Sequence, residues 1–182
     1  MAHAFNRTVS GKITGRLDPV EQALLRSLVM QLAQLLHETD DSDSVDPIAQ
    51  LVGISELVER PADPALLRLF PDAYRDDESA ANDFRRYTQA ALRATKTSRA
   101  DQMIAILDRA DNKIELTEAE AQLVLAVMND TRLVLASRLG LSDELSLDDL
   151  LLAESDQGGP AHLYDWLTWL QETLVRAIMQ KN

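Results

Sequence analysis

The chain has 182 residues, a length typical of one domain with a full hydrophobic core. Hydrophobic residues make up 46% of it and charged residues 26%, a composition typical of a globular protein and not of a disordered one. The net charge of −12 disfavours nucleic acid as a direct ligand, because a phosphate backbone is bound through Lys and Arg.

The absence of cysteine excludes several further classes of protein. Without a thiol in these 182 residues, a disulfide scaffold, a thiolate metal site and a cysteine-based redox switch are excluded. Residues 1–7 lack the apolar stretch of a secretory signal, and no run approaches the ~20 apolar residues of a membrane span. We therefore expect a cytoplasmic protein that does not interact with membranes.

The first 17 residues are basic and form either a basic arm or a short β-hairpin. Gly11 lies in a weakly alternating stretch and permits the positive φ of a tight turn. Three basic side chains and no acidic one occur in this segment: Arg7, Lys12 and Arg16.

The first long helix is predicted to begin at Pro19 and to end near His37. Asp18 is a preferred N-cap residue, and Glu21 occupies the position that completes a capping box. Apolar residues with helical spacing predict a broad buried stripe: Val20, Leu24, Leu28, Leu32 and Leu35, widened by Leu25, Val29 and Leu36.

Shorter elements follow this helix. Residues 38–46 form an acidic, serine-rich linker, and residues 46–52 are predicted to form a short helix that ends before Gly53. Prolines restrict the next helix to about residues 65–69, because the residue before a proline disfavours the helical conformation.

Three helices are predicted in the centre of the chain. Two of them cover residues 76–95 and 98–108, with Ser98 as the cap of the second. The third opens with a capping box at Thr117 and Glu120 and ends at residues 139–140. Because this third helix is apolar on several sides, we expect it to be central.

The C-terminal part contains an acidic connector at residues 141–159, with a short helix at 147–152. The last helix begins at Pro160 after two glycines, and its apolar stripe runs to Ile178. These patterns predict a mainly α fold, a single-domain bundle of about six to eight helices over residues 1–182, with the short N-terminal hairpin.

Motifs for catalysis or metal binding are absent from the sequence. It contains no Gly-rich phosphate loop, no nucleophile elbow and no pair of histidines at ligand spacing. His3, His37 and His162 are therefore interpreted as structural or solvated residues. We expect a protein that is not an enzyme and binds no cofactor or metal; an enzyme with scattered carboxylates and a metal is the least favoured alternative.

A helix-turn-helix interpretation fails on charge. Residues 116–142 resemble the opening of some DNA-binding helical domains, which would place the recognition helix within residues 141–156. That stretch carries six acidic residues and no basic one, the wrong sign for a phosphate backbone. A buried helix followed by an acidic connector is the better interpretation.

The most prominent candidate site is a basic stretch at residues 83–100. It contains five basic residues and one acid, and the basic ones are Arg85, Arg86, Arg93, Lys96 and Arg99. On a helix, Arg85, Arg93 and Lys96 share one face, while Phe84 and Tyr87 lie on another. The first interpretation of the basic face is a solvated surface that nearby acids neutralise in part. The second is a docking surface for an acidic protein, and the third is a surface that binds nucleic acid.

Trp169 is the second candidate, because it lies off the apolar stripe of the last helix. An exposed tryptophan is a frequent anchor of protein interfaces. Packing at the rim of the fold is the alternative interpretation.

Six stretches in chain order carry a family resemblance. They are RLDPVEQALL at 16–25, DPIAQLVGI at 46–54, LFPDAY at 69–74, FRRYT at 84–88, LTEAEA at 116–121 and LYDWL at 163–167. With them, the chain resembles an actinobacterial domain-of-unknown-function family that includes the oxidative-stress transcriptional regulator AosR.

This resemblance implies a transcriptional co-regulator that pairs with an alternative sigma factor and raises expression of cysteine-biosynthesis genes. The switch described for such regulators is an intramolecular disulfide from a C-x-x-x-C motif. The present chain has no cysteine, so that switch cannot operate in it. The resemblance then implies the helical scaffold and a role in binding a protein partner.

The preferred hypothesis is a non-enzymatic, protein-binding regulator that contacts a sigma factor or other transcription machinery through the basic face and Trp169. The alternative is a regulator that binds DNA directly through residues 1–17 and 85–99. A homodimer is a further expectation, because long apolar helices often associate.

Overall fold

The computed structural model describes residues 3–38, 60–74, 76–154 and 159–180. Within these ranges the fold is mainly α, as predicted, with six helices and one three-stranded antiparallel sheet. The strands are β1 (His3–Arg7), β2 (Ile13–Arg16) and β3 (Lys113–Leu116). The helices are α1 (Pro19–Glu38), α2 (Pro64–Leu69), α3 (Glu78–Arg109), α4 (Glu118–Arg138), α5 (Leu147–Ala153) and α6 (Pro160–Met179). Most of the predicted acidic linker and the predicted helix at 46–52 lie outside the described residues.

The N-terminal hairpin is confirmed, and the sheet contains a third strand that was not predicted. Strands β1 and β2 pair in antiparallel fashion, and Gly11 adopts a φ of 82° in the turn between them. Strand β3 pairs with β2 and buries Ile114 and Leu116 on one side. Four residues are too short for an alternating pattern to be recognised in the sequence, which explains why β3 was missed.

Strands β1 and β2 approach each other closely at Gly15. A Cβ atom at this position would lie 2.7 Å from Cδ1 of the buried Phe5 ring. We expect Gly15→Ala to lower the free energy of unfolding by roughly 1–3 kcal/mol, because the ring must shift inside a packed core. Urea denaturation of Gly15→Ala in the wild-type and Phe5→Ala backgrounds checks this, since the cost should shrink when the ring is absent. An equal cost in both backgrounds would contradict the proposed clash.

The cap of α1 is confirmed, and its predicted apolar stripe is wrong only at its N-terminal end. Asp18 accepts hydrogen bonds from the backbone N–H groups of Val20 and Glu21, and the Glu21 carboxylate accepts from the Asp18 N–H. Val20 and Leu24 are exposed. The residues buried in the core are Leu25, Val29, Leu32 and Leu36. Apolar residues occupy more than half of this helix's circumference, so helical spacing alone fits two different faces.

Helix α3 is continuous, so the predicted break between residues 95 and 98 is wrong. It contains 32 residues, or about 48 Å at 1.5 Å per residue. Neither glycine nor proline occurs within it, so the backbone can continue through Ser98 without a lost hydrogen bond.

Helix α4 occupies the central position that was predicted for it. The capping box of Thr117 and Glu120 is present at its start. It ends at a reversal in which Gly140 has a φ of 71° and the Leu141 N–H donates to the Ala136 carbonyl. It packs against α1, α2, α3 and α6, and one cluster of buried apolar side chains joins these helices to the sheet.

Helices α2, α5 and α6 agree with the predicted segments. Asp63 and Ser146 cap α2 and α5, respectively. Helix α6 covers the outer edge of β1, where the Thr173 hydroxyl accepts a hydrogen bond from the Phe5 N–H. None of the described helices combines the length and apolarity required to cross a bilayer.

Candidate partner-binding surface

The predicted basic face of α3 is directed into the protein. Arg85 and Arg93 are buried, and only 13% of the Lys96 side chain is exposed. The expectation that this face is open to solvent is therefore wrong for these three residues. From Arg85 to Lys96 the inward face of α3 is polar, and from Ala100 to Leu107 it is apolar.

Arg85 joins α3 to the segment that follows α2. Its guanidinium forms an ion pair with Asp72 and donates to Asn82 Oδ1 at 2.7 Å. Asp72 also contacts Arg60 at 3.3 Å, so two cations surround one carboxylate. This arrangement fixes the loop between α2 and α3 against the first turns of α3.

Arg93 joins α3 to the end of α1. It donates to the Leu36 carbonyl at 3.1 Å, in the last turn of α1, where carbonyl groups lack partners within the helix. Its guanidinium also lies 4.9 Å from the centre of the Phe70 ring, within cation–π range. One side chain therefore holds the end of α1 and the end of α2 together.

Lys96 joins α3 to α4 through an ion pair with Asp130. The Nζ–Oδ1 distance is 2.7 Å, and the Asp130 side chain is 9% exposed. Two charges in so dry a position require each other, since burial of either one alone carries a large desolvation penalty.

The remaining predicted site residues are accessible. Arg99 is exposed, and the half-buried Arg86 has its guanidinium 5.9 Å from the centre of the Tyr87 ring. Trp169 is 38% exposed on α6. Partner binding by these three residues stays a prediction.

The outer face of α3 presents aromatic side chains that the sequence indicated but did not identify as a site. We call Tyr74, Phe84 and Tyr87 the aromatic patch; all three are exposed. Tyr74 and Phe84 make an edge-to-face contact with ring centres 6.3 Å apart, and Tyr87 follows Phe84 by one helical turn. Several exposed aromatic rings in one place are typical of a protein-binding surface.

Acidic side chains adjoin the aromatic patch. Asp76, Asp77 and Glu78 lie between Tyr74 and the first turn of α3, and Asp83 precedes Phe84; all are exposed. Asp77 also caps α3 by accepting from the Ala80 N–H at 2.9 Å. An aromatic surface with an acidic rim is complementary to a partner that surrounds apolar side chains with Lys and Arg.

Two of the three N-terminal basic residues are also engaged within the protein. Arg7 donates to the carbonyls of Ala177 and Ile178 at the end of α6, and Lys12 lies 3.6 Å from Glu115. Together with the burial of Arg85, Arg93 and Lys96, these contacts leave little of the positive surface that direct DNA binding requires.

His162 has a structural contact, which agrees with its interpretation from the sequence. Its Nδ1 lies 3.0 Å from the Glu154 carboxylate, which also accepts from the Ala161 N–H at the start of α6. The hydrogen bond from the Ala161 N–H, followed by the one from His162, lowers the pKa of Glu154 below its usual value. Among the described residues, no group of three or more acidic or histidine side chains could hold a metal ion.

The family model described as "Domain of unknown function (DUF2017)" matches residues 2–178. The chain belongs to this family. This result confirms the family resemblance in the sequence.

Mycobacterial proteins similar to this DUF2017 chain carry functional names. A Mycobacterium leprae protein named putative oxidative stress regulator AosR is 37% identical over 179 residues, covering 88% of this chain and 80% of that protein. The oxidative stress regulators AosR of Mycobacterium bovis and Mycobacterium tuberculosis are each 33% identical over 177 residues, covering 90% of this chain and 80% of theirs. No solved structure matches the chain.

Proposed function

We propose that the chain is a non-enzymatic regulator of the oxidative-stress response that acts by binding another protein. The names of its mycobacterial relatives support the regulatory role. The aromatic patch supports protein binding, since three exposed rings in an acidic rim have no evident use in packing the fold. This patch takes the place of the basic face as the main contact surface.

The partner we propose is a basic segment of the transcription machinery, such as a sigma factor. Proteins that bind a phosphate backbone carry clusters of Lys and Arg, which would face the acids at residues 76–78 and Asp83. The rings of Phe84 and Tyr87 would then contact apolar side chains between those basic residues. Arg86 borders the patch, whereas Arg99 and Trp169 would make secondary contacts.

The absence of cysteine places a limit on how such a regulator responds to oxidant. No thiol of these 182 residues can be oxidised, so a disulfide cannot change the shape of this chain. We propose that an oxidant signal reaches the complex through the partner.

The double variant Phe84→Ala/Tyr87→Ala tests the proposed surface. We expect it to weaken binding of the purified sigma factor by about 30-fold, the effect of losing roughly 2 kcal/mol at an interface hot spot. Biolayer interferometry against each sigma factor of the same organism measures this. Binding should also weaken with added salt, because opposite charges are screened.

Leu92→Ala is the matched control, because Leu92 is exposed on the same helix outside the aromatic patch. It should leave binding unchanged. Sigma-factor binding that the double variant does not alter would contradict the assigned surface. If wild-type protein binds none of the sigma factors, the proposed partner class is wrong.

A further inference from the structure

Between Val20 and Leu35, the outward face of α1 carries no charged side chain. We call this surface the uncharged face and define it by six residues that share one side of the helix: Val20, Leu24, Ser27, Leu28, Gln31 and Leu35. Four of them are exposed, and Leu28 and Leu35 are half-buried. Charged residues make up 26% of the whole sequence, yet none lies on this face between Val20 and Leu35.

Two charged residues lie between Val20 and Leu35 on α1, and both are directed elsewhere. Glu21 folds back to the Asp18 N–H at 2.8 Å, and Arg26 is paired with Asp108 at 2.6 Å on the side facing α3. Because these charges are held by neighbouring groups, they do not interrupt the uncharged face.

The uncharged face continues into a groove between α1 and α4. This groove has a volume of about 250 Å³, and Leu28, Leu35, Val134 and Leu135 line it. Arg138 borders it but is paired with Asp63 at 2.6 Å. Burial raises the pKa of Asp63, but the hydrogen bonds from Arg138 and the Ala65 N–H outweigh burial and lower the pKa overall. Asp63 is therefore ionised, and its negative charge cancels the positive charge of Arg138.

The charge pattern indicates what covers this surface. Two copies of a chain with a net charge of −12 repel each other, so a surface without charge opposes their association least. Close to the axis of a twofold interface a residue lies near its own symmetry mate, so a charged residue there would face a like charge. Apolar side chains avoid this conflict, and Gln31 can both donate and accept in such a pair.

We propose that two copies of this chain associate through the uncharged face of α1 and its groove with α4, forming a twofold dimer. From Val20 to Leu35 the face extends along about 24 Å of helix, enough for two helices to interlock their side chains over several turns. The aromatic patch lies on α3 and is not part of this interface.

Leu24→Glu tests the proposal, with Leu92→Glu as its matched control. Leu24 is 40% exposed and Leu92 is 42% exposed, so the same substitution has a similar cost within each monomer. Sedimentation velocity over a concentration series should show a monomer–dimer equilibrium for wild-type protein. Leu24→Glu should weaken it by at least about tenfold, which corresponds to ~1.4 kcal/mol, because each copy would bury a carboxylate without a partner in the interface.

Salt dependence distinguishes this interface from one formed by opposite charges. Added NaCl should strengthen the dimer, because it screens the repulsion between two acidic copies. Leu92→Glu should dimerise like wild-type protein, and circular dichroism should show both variants folded. A wild-type chain that stays monomeric at the highest soluble concentration, or equal weakening by both variants, would overturn the proposal.

Discussion

Asp130→Ala is expected to lower the free energy of unfolding by about 3 kcal/mol. The substitution removes the carboxylate that lies 2.7 Å from Lys96 Nζ, and the Lys96 side chain is only 13% exposed. An ammonium group in that position then lacks both its partner and most of its hydration. Urea denaturation followed by circular dichroism measures the loss.

Two control variants test whether the loss of stability depends on the burial of this ion pair or would follow from breaking any ion pair. The double variant Lys96→Met/Asp130→Leu should be close to wild type, because it removes both desolvation penalties together with the attraction. Glu172→Ala breaks the Arg176–Glu172 pair at 3.0 Å, whose side chains are largely exposed, and should cost less than about 0.5 kcal/mol. If Asp130→Ala lowers the free energy of unfolding no more than Glu172→Ala does, burial does not make the Lys96–Asp130 pair more important, and the prediction is refuted.

Leu170→Ala should cost a similar amount, about 3 kcal/mol, for a different reason. Leu170 is fully buried in α6, with Leu167 and Leu174 buried one turn before and after it. Truncation to alanine removes apolar contacts and leaves a cavity that surrounding side chains fill only in part. Urea denaturation gives the change in free energy, and the slope against urea should stay unchanged.

The same substitution at Leu152 is the control, because that side chain is 87% exposed on α5. Its cost should be within about 0.5 kcal/mol of zero. Comparable losses for Leu170→Ala and Leu152→Ala would show that α6 does not contribute its apolar stripe to the core.

Helix starts were predictable from the sequence because their determinants are local. The caps at Asp18 and Thr117 use hydrogen bonds between residues two or three positions apart, so their spacing is visible in the chain itself. The positive φ of Gly11 similarly places the hairpin turn. These elements are therefore confirmed where the sequence predicted them.

The orientation of α1 was not predictable in the same way. Its apolar residues cover both the core face at Leu25 and Val29 and the uncharged face at Val20 and Leu24. Only contact with α3 and α4 decides which of the two is buried. An excess of apolar residues on a helix therefore leaves the choice of buried face to the tertiary contacts.

The candidate site shows where charge patterns fail as a guide. Arg85 and Lys96 looked like surface residues because their partners Asp72 and Asp130 are 13 and 34 positions away. The spacing of Phe84 and Tyr87 was visible, but aromatic residues one turn apart indicate a buried face as often as an exposed one. The acids next to them could have drawn attention to the aromatic patch.

The change of chemistry along the inward face of α3 affects how this helix can vary among relatives. At Met103 and Leu107, aliphatic residues of similar volume can replace one another singly at small cost. In the first half, each cation depends on one acceptor in another part of the chain, so a change at Lys96 requires a matching change at Asp130. Among family members, the inward residues in the second half of α3 should therefore change independently of one another. In the first half of α3, each basic residue should covary with its distant acceptor.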